Sequence, residues 1–299
     1  MGGTKTAVAV VEHDGRVLVD RRWPTPSRMS PSEAVEQFAE RWREVHAAAG
    51  YPRIAGLGLS VPGPVDPAGT ILHRVFDWPA WHDVPLAALL SRHLGLPVRM
   101  DNDVNCCAIA ETRWGAAAGS AHHVWLQVST GVGGAIVING NLYRGHRGMA
   151  GEIGHLTVKP NGRRCTCGRR GCVETLVSGP AIVRRYRNAG GIAKQAEEVF
   201  RAAELGDLRA QRLLISVGET LGGVVATIVN LLDPSLIVLG GGVMTSFGPY
   251  LDTVRRSAEG HIPERNGEGS GPLLCRTALG DRAALLGAAA LIADNGGTR

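Results

Sequence analysis

A histidine and three cysteines between residues 155 and 172 have the types and spacing of a metal site. They are His155, Cys165, Cys167 and Cys172. One imidazole and three thiolates supply the four nitrogen and sulfur ligands of a closed, structural zinc site. Gly168 and Gly171 allow the sharp turns that bring the second and third thiols to one ion. The alternative is a set of unrelated buried thiols, but the clustering of three of the chain's six cysteines favours zinc.

Two carboxylates flank these metal donors, and a purely structural zinc loop does not need them. Glu152 and Glu174 stand just before His155 and just after Cys172. Carboxylates accept hydrogen bonds from pairs of sugar hydroxyls, and a histidine with one nitrogen on zinc can donate its other N–H. We therefore expect Glu152, His155 and Glu174 to bind a polyol, with a metal that orients the site and performs no chemistry.

Three glycine turns are candidate phosphate-binding sites. They are Gly2-Gly3-Thr4, which is followed by Lys5; Thr130-Gly131-Val132-Gly133-Gly134; and Gly240-Gly241-Gly242. Glycine lets backbone N–H groups converge on an anion, and threonine or lysine adds a hydroxyl or a charge. Tight hairpins also need glycine, so a single turn would be weak evidence. Three turns favour phosphate, whereas P-loop and dinucleotide fingerprints are absent from the sequence.

Asn102 and Asp103 follow a predicted strand, Pro97 to Met100, and precede a predicted helix that runs to about Gly115. In open α/β sheets, ligands bind at the carboxyl ends of strands. Asp103 could take a proton from a hydroxyl group that Asn102 positions. The alternative is that Asp101 or Asp103 only caps the following helix.

The elements that must position these residues alternate between strands and helices, which predicts an α/β fold with a mainly parallel sheet in each of two lobes. Ser30-Pro31-Ser32-Glu33 is a capping box that begins a helix running to Gly50. A buried strand at Ile54 to Leu59 leads into a loop that contains Gly63. The apolar segment from Leu213 to Leu232 carries Glu219 and several glycines, so it predicts a core helix and not a membrane span.

The two halves of the sequence share one plan. Each has a glycine turn, a strand, an Asx-Gly turn and another strand, at Gly2 to Arg22 and at Thr130 to Arg144. The second copy has a strand, Val124 to Ser129, before its glycine turn, whereas only Met1 precedes the first. The loss of a central strand would leave an unpaired edge inside a sheet.

Composition and charge are those of an ordinary globular protein. The sequence is 44% hydrophobic and 20% charged, and its formal charge of +5 comes from dispersed basic residues. Dispersed charge favours small anionic ligands over a nucleic-acid partner. No apolar leader opens the sequence, and the cysteines have metal-ligand spacing, so we expect a cytoplasmic protein without membrane contact.

Taken together, these motifs resemble the ROK family of repressors, open reading frames and sugar kinases, which includes glucokinase-like and N-acylhexosamine-kinase-like members. The resemblance covers nearly the whole chain, and its zinc segment is highly specific. It implies a two-lobed, actin-like (ribonuclease H-like) fold, with residues 1–115 completed by a C-terminal helix at 282–299 as one lobe and residues 116–281 as the other. It also implies a homodimer or tetramer.

Residue roles follow from the resemblance where motifs match. Asp103 is the implied catalytic base, and His155, Cys165, Cys167 and Cys172 are the implied ligands of a structural zinc. The implied sugar ligands are Gly63, Asp77, Asn102, Asp103, Glu152, His155 and Glu174. The implied contacts to ATP with Mg²⁺ are Gly3, Thr4, Lys5, Thr130, Gly131, Gly133, Gly240, Gly241 and Gly242.

Two departures from the family's pattern leave alternatives open. In the family, a strand that ends in an aspartate precedes the first glycine turn; here the sequence begins at Met1, so either it starts late or the protein binds ATP poorly. Val75-Phe76-Asp77-Trp78 stands where kinases usually have an asparagine-containing sugar contact. The function predicted is ATP-dependent phosphorylation of a sugar. The alternative is the non-catalytic, sugar-sensing effector domain of a repressor.

Overall fold

The structure is a computed structural model that describes residues 1–2, 5–75, 78–263 and 273–293. Its strands, in chain order, are β1 Lys5–Val11, β2 Val17–Pro24, β3 Leu57–Val61, β4 Leu72–Arg74, β5 His82–Val84, β6 Val98–Asn102, β7 His123–Val128, β8 Val132–Ile138, β9 Asn141–Tyr143, β10 Leu236–Gly240 and β11 Leu273–Arg276. Its α-helices are α1 Pro31–Ala48, α2 Leu86–Leu94, α3 Asp103–Trp114, α4 Glu174–Val177, α5 Gly179–Asn188, α6 Ala196–Glu204, α7 Leu208–Leu232, α8 Gly242–Ser246, α9 Leu251–Glu259 and α10 Ala283–Ala293.

Local sequence signals explain several of these boundaries. The Ser30 side chain accepts a hydrogen bond from the Glu33 backbone, and the Glu33 carboxylate accepts one from the Ser30 backbone, so the predicted capping box begins α1. Gly95 ends α2 with a φ of 66°, a left-handed conformation that glycine adopts without steric cost.

The described residues form two compact units. Unit 1 comprises those within Met1–Ala118, Leu142–Ala150 and Asp281–Arg299, and unit 2 comprises those within Gly119–Asn141 and Gly151–Gly280. The lobes expected from the sequence, residues 1–115 with 282–299 and residues 116–281, stay a prediction of functional domains.

The described strands of unit 1 form three two-stranded sheets. β1 pairs with β2 and β4 with β5 in antiparallel fashion, whereas β3 and β6 are parallel, with Leu57 opposite Val98 and Val61 opposite Asn102. α1 and α2 contribute to one core with β3 and β6, in which Trp78 and Trp81 are buried. α10 lies against α3 and β3 and needs two glycines to do so. A Cβ on Gly287 would lie 1.8 Å from the Cys106 carbonyl oxygen, and one on Gly58 1.6 Å from the Ala288 carbonyl oxygen.

Unit 2 contains β7, β8, β10 and β11, which are neighbours in a sheet in the order β11-β10-β7-β8. The long helix α7 packs in its core, where Leu214, Val217 and Leu221 are buried. Among the described helices, α7 is the one long and apolar enough to cross a membrane by those two criteria. Since 61% of its most apolar window is buried inside the protein, the prediction of a core helix is confirmed.

The expectation of a mainly parallel sheet in each lobe is wrong for unit 1 and holds in part for unit 2. In unit 2, β7, β10 and β11 are parallel, but β8 is antiparallel to β7. In unit 1, β3 and β6 form the one parallel pair among the described strands. For β1–β2 and β7–β8 the cause is the glycine turns at Asp14-Gly15 and Thr130-Gly131, because a tight turn can join only antiparallel neighbours.

Candidate active site

In unit 2, the four predicted metal donors converge. One ligand atom from each of His155, Cys165, Cys167 and Cys172 lies within 4.8 Å of the other three. The Cys165 Sγ is 3.7 Å from the His155 Nδ1, and the Cys167 Sγ is 3.6 Å from the Cys172 Sγ. Ligands about 2.3 Å from a tetrahedral zinc ion are separated by about 3.8 Å. The spacing of these atoms therefore fits zinc.

Backbone turns produce this convergence. The Cys165 N–H donates to the Arg169 carbonyl and the Gly168 N–H to the Cys165 carbonyl, which folds the segment back on itself. Gly168 and Gly171 have φ values of 90° and 72°. A Cβ on Gly171 would lie 1.6 Å from the Lys159 carbonyl oxygen, so that position requires glycine. The structure thus confirms that the glycines between the thiols serve the turn.

The thiols differ in how easily they ionise. Burial opposes ionisation of Cys167, but hydrogen bonds from the backbone and side chain of Arg169, together with Cys165 and Cys172, lower its pKa to about 6. Burial and the hydrogen bonds with Cys167 and Cys165 raise the pKa of Cys172 to about 12. Three thiolates this close repel one another, so a bound cation would be needed to ionise all of them.

The two predicted carboxylates lie beside this cluster. The Glu152 Oε2 is 3.8 Å from the His155 Nε2, on the opposite side of the ring from the nitrogen that faces Cys165. A histidine bound to metal through Nδ1 would therefore present its Nε2–H toward a carboxylate. Glu152 is exposed, with 49% of its side chain accessible, so its carboxylate can also accept hydrogen bonds from a ligand.

Glu174, the first residue of α4, joins the cluster to the second glycine turn. Its Oε1 is 3.8 Å from the Cys165 Sγ, and its Oε2 accepts a hydrogen bond from the Val132 N–H at 3.1 Å. A Cβ on Gly131 would lie 2.9 Å from that oxygen, so glycine permits this approach. Glu174 therefore holds the turn between β7 and β8 against the metal-site loop.

In unit 1, Asn102 and Asp103 lie where β6 ends and α3 begins. The Asn102 Oδ1 accepts a hydrogen bond from the Val104 N–H at 2.9 Å and so caps α3. Its Nδ2 donates to the Gly63 carbonyl at 3.2 Å. The structure therefore brings Gly63, Asn102 and Asp103 together. The capping alternative applies to Asn102 first, although Asp103 Oδ1 also lies 3.0 Å from the Val104 N–H.

Asp103 has an unusual electrostatic environment. The residue keeps some exposure and lines a cavity, but protein surrounds most of its carboxyl group. Burial raises the pKa of Asp103, against the opposing hydrogen bond from Val104 and the positive charge of the Met1 amino group. A carboxylate that is costly to keep charged is a stronger base, which suits proton abstraction from a hydroxyl group.

Sequence reasoning missed the role of Asp101, which holds the backbone of Asn102 in place. Asp101 is buried, and its Oδ2 accepts hydrogen bonds from the Arg144 Nε at 2.9 Å and Nη2 at 2.7 Å. Its Oδ1 accepts from the Asn102 N–H and the Asn105 side chain. No local pattern predicts the pairing of residues 43 positions apart.

The second and third glycine turns line one cavity in unit 2. Thr130 and Gly242 border a space of about 560 Å³, together with the first turn of α5 at Gly179. Gly241 has a φ of 92°, and a Cβ on it would lie 2.4 Å from the Val128 carbonyl oxygen. Of the predicted set, Thr130 and Gly242 line this cavity, whereas Gly131 faces Glu174, Gly133 belongs to β8 and Gly240 ends β10 against Trp125.

Sequence reasoning also missed the cations that line this cavity: Arg184, Arg187 and Lys194. Two of them are oriented by backbone carbonyls, because the Arg184 Nη2 donates to Thr175 and the Arg187 Nε donates to Ala193, both at 2.6 Å. Burial and repulsion from Arg163 lower the pKa of Arg184. The Arg184-Arg185 pair was visible in the sequence, but only the α5 geometry shows that Arg184 and Arg187 share a face.

The first glycine turn can be placed only in part. Gly3 and Thr4, predicted to contact nucleotide, and Asp77, predicted to contact sugar, lie outside the described residues. Lys5 begins β1 and is exposed, and the Gly2 N–H donates to the Lys5 carbonyl. The roles predicted for these four residues stay predictions.

Comparison with known proteins shows which proteins this chain is similar to. The glucokinase of Thermotoga maritima is 32% identical over 272 residues, which are 85% of each chain. The xylose repressor of Bacillus subtilis is 28% identical over 242 residues, which cover 81% of this chain and 62% of that protein.

Solved structures agree over nearly the full length. A ROK hexokinase from Thermus thermophilus has a TM-score of 0.87 at 35% identity, covering 99% of this chain and 98% of that one. A ROK family glucokinase from Streptomyces griseus, solved with glucose and AMPPNP, has a TM-score of 0.80 at 30% identity, covering 97% and 96%. The model of the ROK family matches residues 1–295, and this chain therefore belongs to the ROK family.

Proposed function

We propose that this ROK-family chain is an ATP-dependent kinase that transfers a phosphoryl group to a hydroxyl group of glucose or a related hexose or N-acylhexosamine. The observation that carries the proposal is the position of Asp103, a desolvated carboxylate at the carboxyl end of β6 with Asn102 beside it. The similarity to glucokinases, one of them solved with glucose and AMPPNP, supports this reaction.

Asp103 is proposed as the general base. Its carboxylate would accept the proton of the attacking hydroxyl, and Asn102 and Gly63 would hold that hydroxyl in place. General-base catalysis typically contributes a factor of about 10² to 10⁴ in rate. The raised pKa of Asp103 strengthens it as a base.

The donor is proposed to bind in unit 2. The backbone N–H groups of the turns at Thr130 to Gly134 and Gly240 to Gly242 would face phosphate oxygens, and Arg184, Arg187 and Lys194 supply positive charge to the same cavity. Mg²⁺, when bound with ATP, would neutralise charge on the transferring phosphoryl group. Lys5, Gly3 and Thr4 are proposed as further phosphate contacts from the first glycine turn.

Glu152, His155 and Glu174 of unit 2 are proposed as sugar contacts, and Asp77 of unit 1 is kept as a further candidate. Zinc held by His155, Cys165, Cys167 and Cys172 would fix the histidine ring, because a metal on Nδ1 leaves only Nε2 to face a ligand. We further propose that the protein is cytoplasmic, since thiolate zinc ligands suit a reducing compartment. A homodimer or tetramer is proposed from the family resemblance.

A sugar-sensing regulator is the second candidate function. One observation favours it: a xylose repressor matches 81% of this chain. In that case the site would bind a sugar without turnover, and Asp103 would serve only as a hydrogen-bond acceptor.

The first test measures sugar-dependent formation of ADP from ATP over a panel of hexoses, N-acylhexosamines and cyclitols. We expect turnover with at least one sugar, and Asp103→Ala should lower kcat by about 10²-fold or more while sugar binding, followed by calorimetry, persists. The matched control is Asp83→Ala, which removes an exposed aspartate of unit 1 and should keep the wild-type rate.

Each outcome separates the candidates. Sugar binding without turnover by the wild-type protein would favour the regulator and reject the kinase. Turnover retained by the Asp103→Ala protein would reject Asp103 as the base while leaving the kinase in place.

A further inference from the structure

The metal-site loop of unit 2 carries the whole excess of positive charge of the chain. Residues 156–173, here named the basic loop, contain no Asp or Glu and five basic side chains: Lys159, Arg163, Arg164, Arg169 and Arg170. The chain has 32 basic and 27 acidic residues, so the rest of it holds 27 of each. Basic residues are dispersed over the chain, but their excess over acidic residues lies in this one loop.

The charges of the basic loop are exposed and are not neutralised within the protein. All five side chains belong to exposed residues. None of them forms an ion pair with a carboxylate in the part of the chain that the structure describes. Arg169 is hydrogen-bonded to the Cys167 side chain, and the Arg170 Nη1 lies 3.4 Å from the Gly162 carbonyl oxygen, which is uncharged. The loop therefore presents a dense positive surface to solvent.

The fold of the loop also holds like charges against each other. Arg164 and Arg170 are opposite each other in an isolated antiparallel bridge. The Cβ atoms of such a pair are about 5 Å apart, and like charges at this position destabilise the pairing. A second repulsion joins the loop to α5, because burial lowers the pKa of Arg184 and the charge of Arg163 lowers it further. A bound anion would offset both repulsions.

The composition of the loop indicates which polyanion fits it. Four of the five cations are arginines, whose planar guanidinium groups bind phosphate oxygens in pairs. The loop has no aromatic side chain on which the bases of a single strand could stack. A DNA double helix presents one charge per about 1.7 Å of its axis, whereas an extended acidic peptide presents at most one per about 3.3 Å. The dense charge of a DNA duplex therefore matches the loop best.

We propose that the basic loop binds double-stranded DNA through the phosphate backbone, without preference for a base sequence. Such binding has a dissociation constant of about 10⁻⁴ to 10⁻⁶ M at physiological salt. The proposal does not depend on the kinase function, because it rests on the charge, exposure and backbone pairing of this loop.

The experiment measures the fluorescence anisotropy of two labelled DNA duplexes of unrelated sequence, each of about 20 base pairs, mixed with the full-length protein at about 50 to 200 mM salt. Arg164→Gln/Arg170→Gln removes two charges from the loop and keeps Arg169, which contacts Cys167. The matched control, Arg21→Gln/Arg22→Gln, removes two charges from an exposed arginine pair of β2. Zinc content and melting temperature are measured for all three proteins.

We expect the two duplexes to bind equally, with an affinity that falls by about 10²-fold or more from 50 to 200 mM salt if four or five phosphates are contacted. The loop variant should bind at least about tenfold more weakly at 50 mM salt, with a salt slope smaller by about 2, whereas the control should keep the wild-type affinity. If the loop variant loses zinc or melts earlier, Lys159→Gln replaces it, with a slope smaller by about 1.

The proposal is overturned if the wild-type protein does not bind either duplex at 50 mM salt, or if it prefers one sequence. Equal losses of affinity in the loop variant and in the control would also overturn it, because the affinity would then come from the net charge of the whole chain. Displacement of the DNA by polyglutamate at an equal concentration of charge would reject DNA in favour of an acidic protein partner.

Discussion

At the scale of single residues, Asp103 shows a conflict between stability and chemistry. Burial raises the pKa of its carboxyl group, so the folded protein holds a charge that it disfavours at neutral pH. A carboxyl group whose pKa is raised by folding stabilises the folded state when protonated, and that advantage is lost as the pH rises through the folded-state pKa. Above the folded-state pKa of Asp103, the wild-type protein therefore bears the full cost of keeping this carboxylate charged.

We expect the Asp103→Asn protein to be more stable than the wild type at pH 7 to 8 and inactive as a kinase. Asparagine keeps the acceptor for the Val104 N–H and removes the charge. The difference in unfolding free energy should shrink as the pH falls through the raised pKa and vanish below about pH 4, the unfolded-state value. Urea denaturation of both proteins at several pH values measures this difference in unfolding free energy.

The matched control is Asp14→Asn, since Asp14 is exposed and its oxygen likewise accepts a backbone hydrogen bond, from Arg16. The unfolding free energy of the Asp14→Asn protein at pH 8 should equal that of the wild type, because the side chain it changes is exposed to solvent. A lower stability of the Asp103→Asn protein at pH 8 would mean that the charge is stabilised in the fold, and would contradict the assignment of a desolvated base.

Residue types and spacing predicted the metal-site donors well, because a chelating loop is local in sequence. The four donors span 18 residues, and their turns depend on glycines inside the same segment. The Asp101–Arg144 ion pair and the cations of the unit 2 cavity were not predicted. Their partners are brought together by tertiary packing, which spacing along the chain does not encode.

At the scale of elements, capping residues and hydrophobic periodicity in the sequence predicted where the helices lie. They did not predict how closely the helices pack against their neighbours. Periodicity indicates which face of a helix is buried, but the distance of approach depends on the partner element. The contact of α10 with α3 is an example. The Gly287 position lies so near the Cys106 carbonyl that no Cβ fits without a backbone shift.

We expect Gly287→Ala to destabilise unit 1 by about 3 kcal/mol, since the atom it would displace belongs to the backbone of α3. Gly223→Ala is the control, because a Cβ on that helical glycine meets nothing within 4 Å. It should stabilise α7 by up to about 1 kcal/mol through helix propensity alone. The denaturant midpoints of the two variants measure both effects. If both substitutions shifted the midpoint by the same amount, α10 would not pack as closely as described.

At the scale of the whole molecule, the sequence predicted an α/β protein with two lobes, and the comparison of its halves predicted a hairpin in each, β1–β2 and β8–β9. That comparison worked because both halves encode their hairpins with local turn signals. Strand pairing is not local, so the parallel content of the sheets was overestimated for unit 1. The cavity between β1 and β3 became visible only once the pairs were known.

The distribution of cysteines over the molecule allows a test of the proposed zinc. Burial raises the pKa of Cys106 and Cys107 well above the ordinary thiol value, so both should be unreactive in folded unit 1. The three thiols of the cluster lie in unit 2, as does the partly exposed Cys275. Zinc thiolates react slowly with thiol reagents while the metal stays bound.

We therefore expect metal analysis to find about one zinc ion per chain, and a thiol reagent to modify chiefly Cys275. A chelator should release the ion and expose three more thiols, those of Cys165, Cys167 and Cys172, while Cys106 and Cys107 stay protected because their burial does not depend on the metal-site loop. Cys167→Ser should lose zinc, whereas Cys275→Ser should keep it. If chelation leaves the number of reactive thiols unchanged, or if Cys167→Ser retains the ion, the cluster is not a zinc site, and His155 must be oriented by Glu152 and the loop alone.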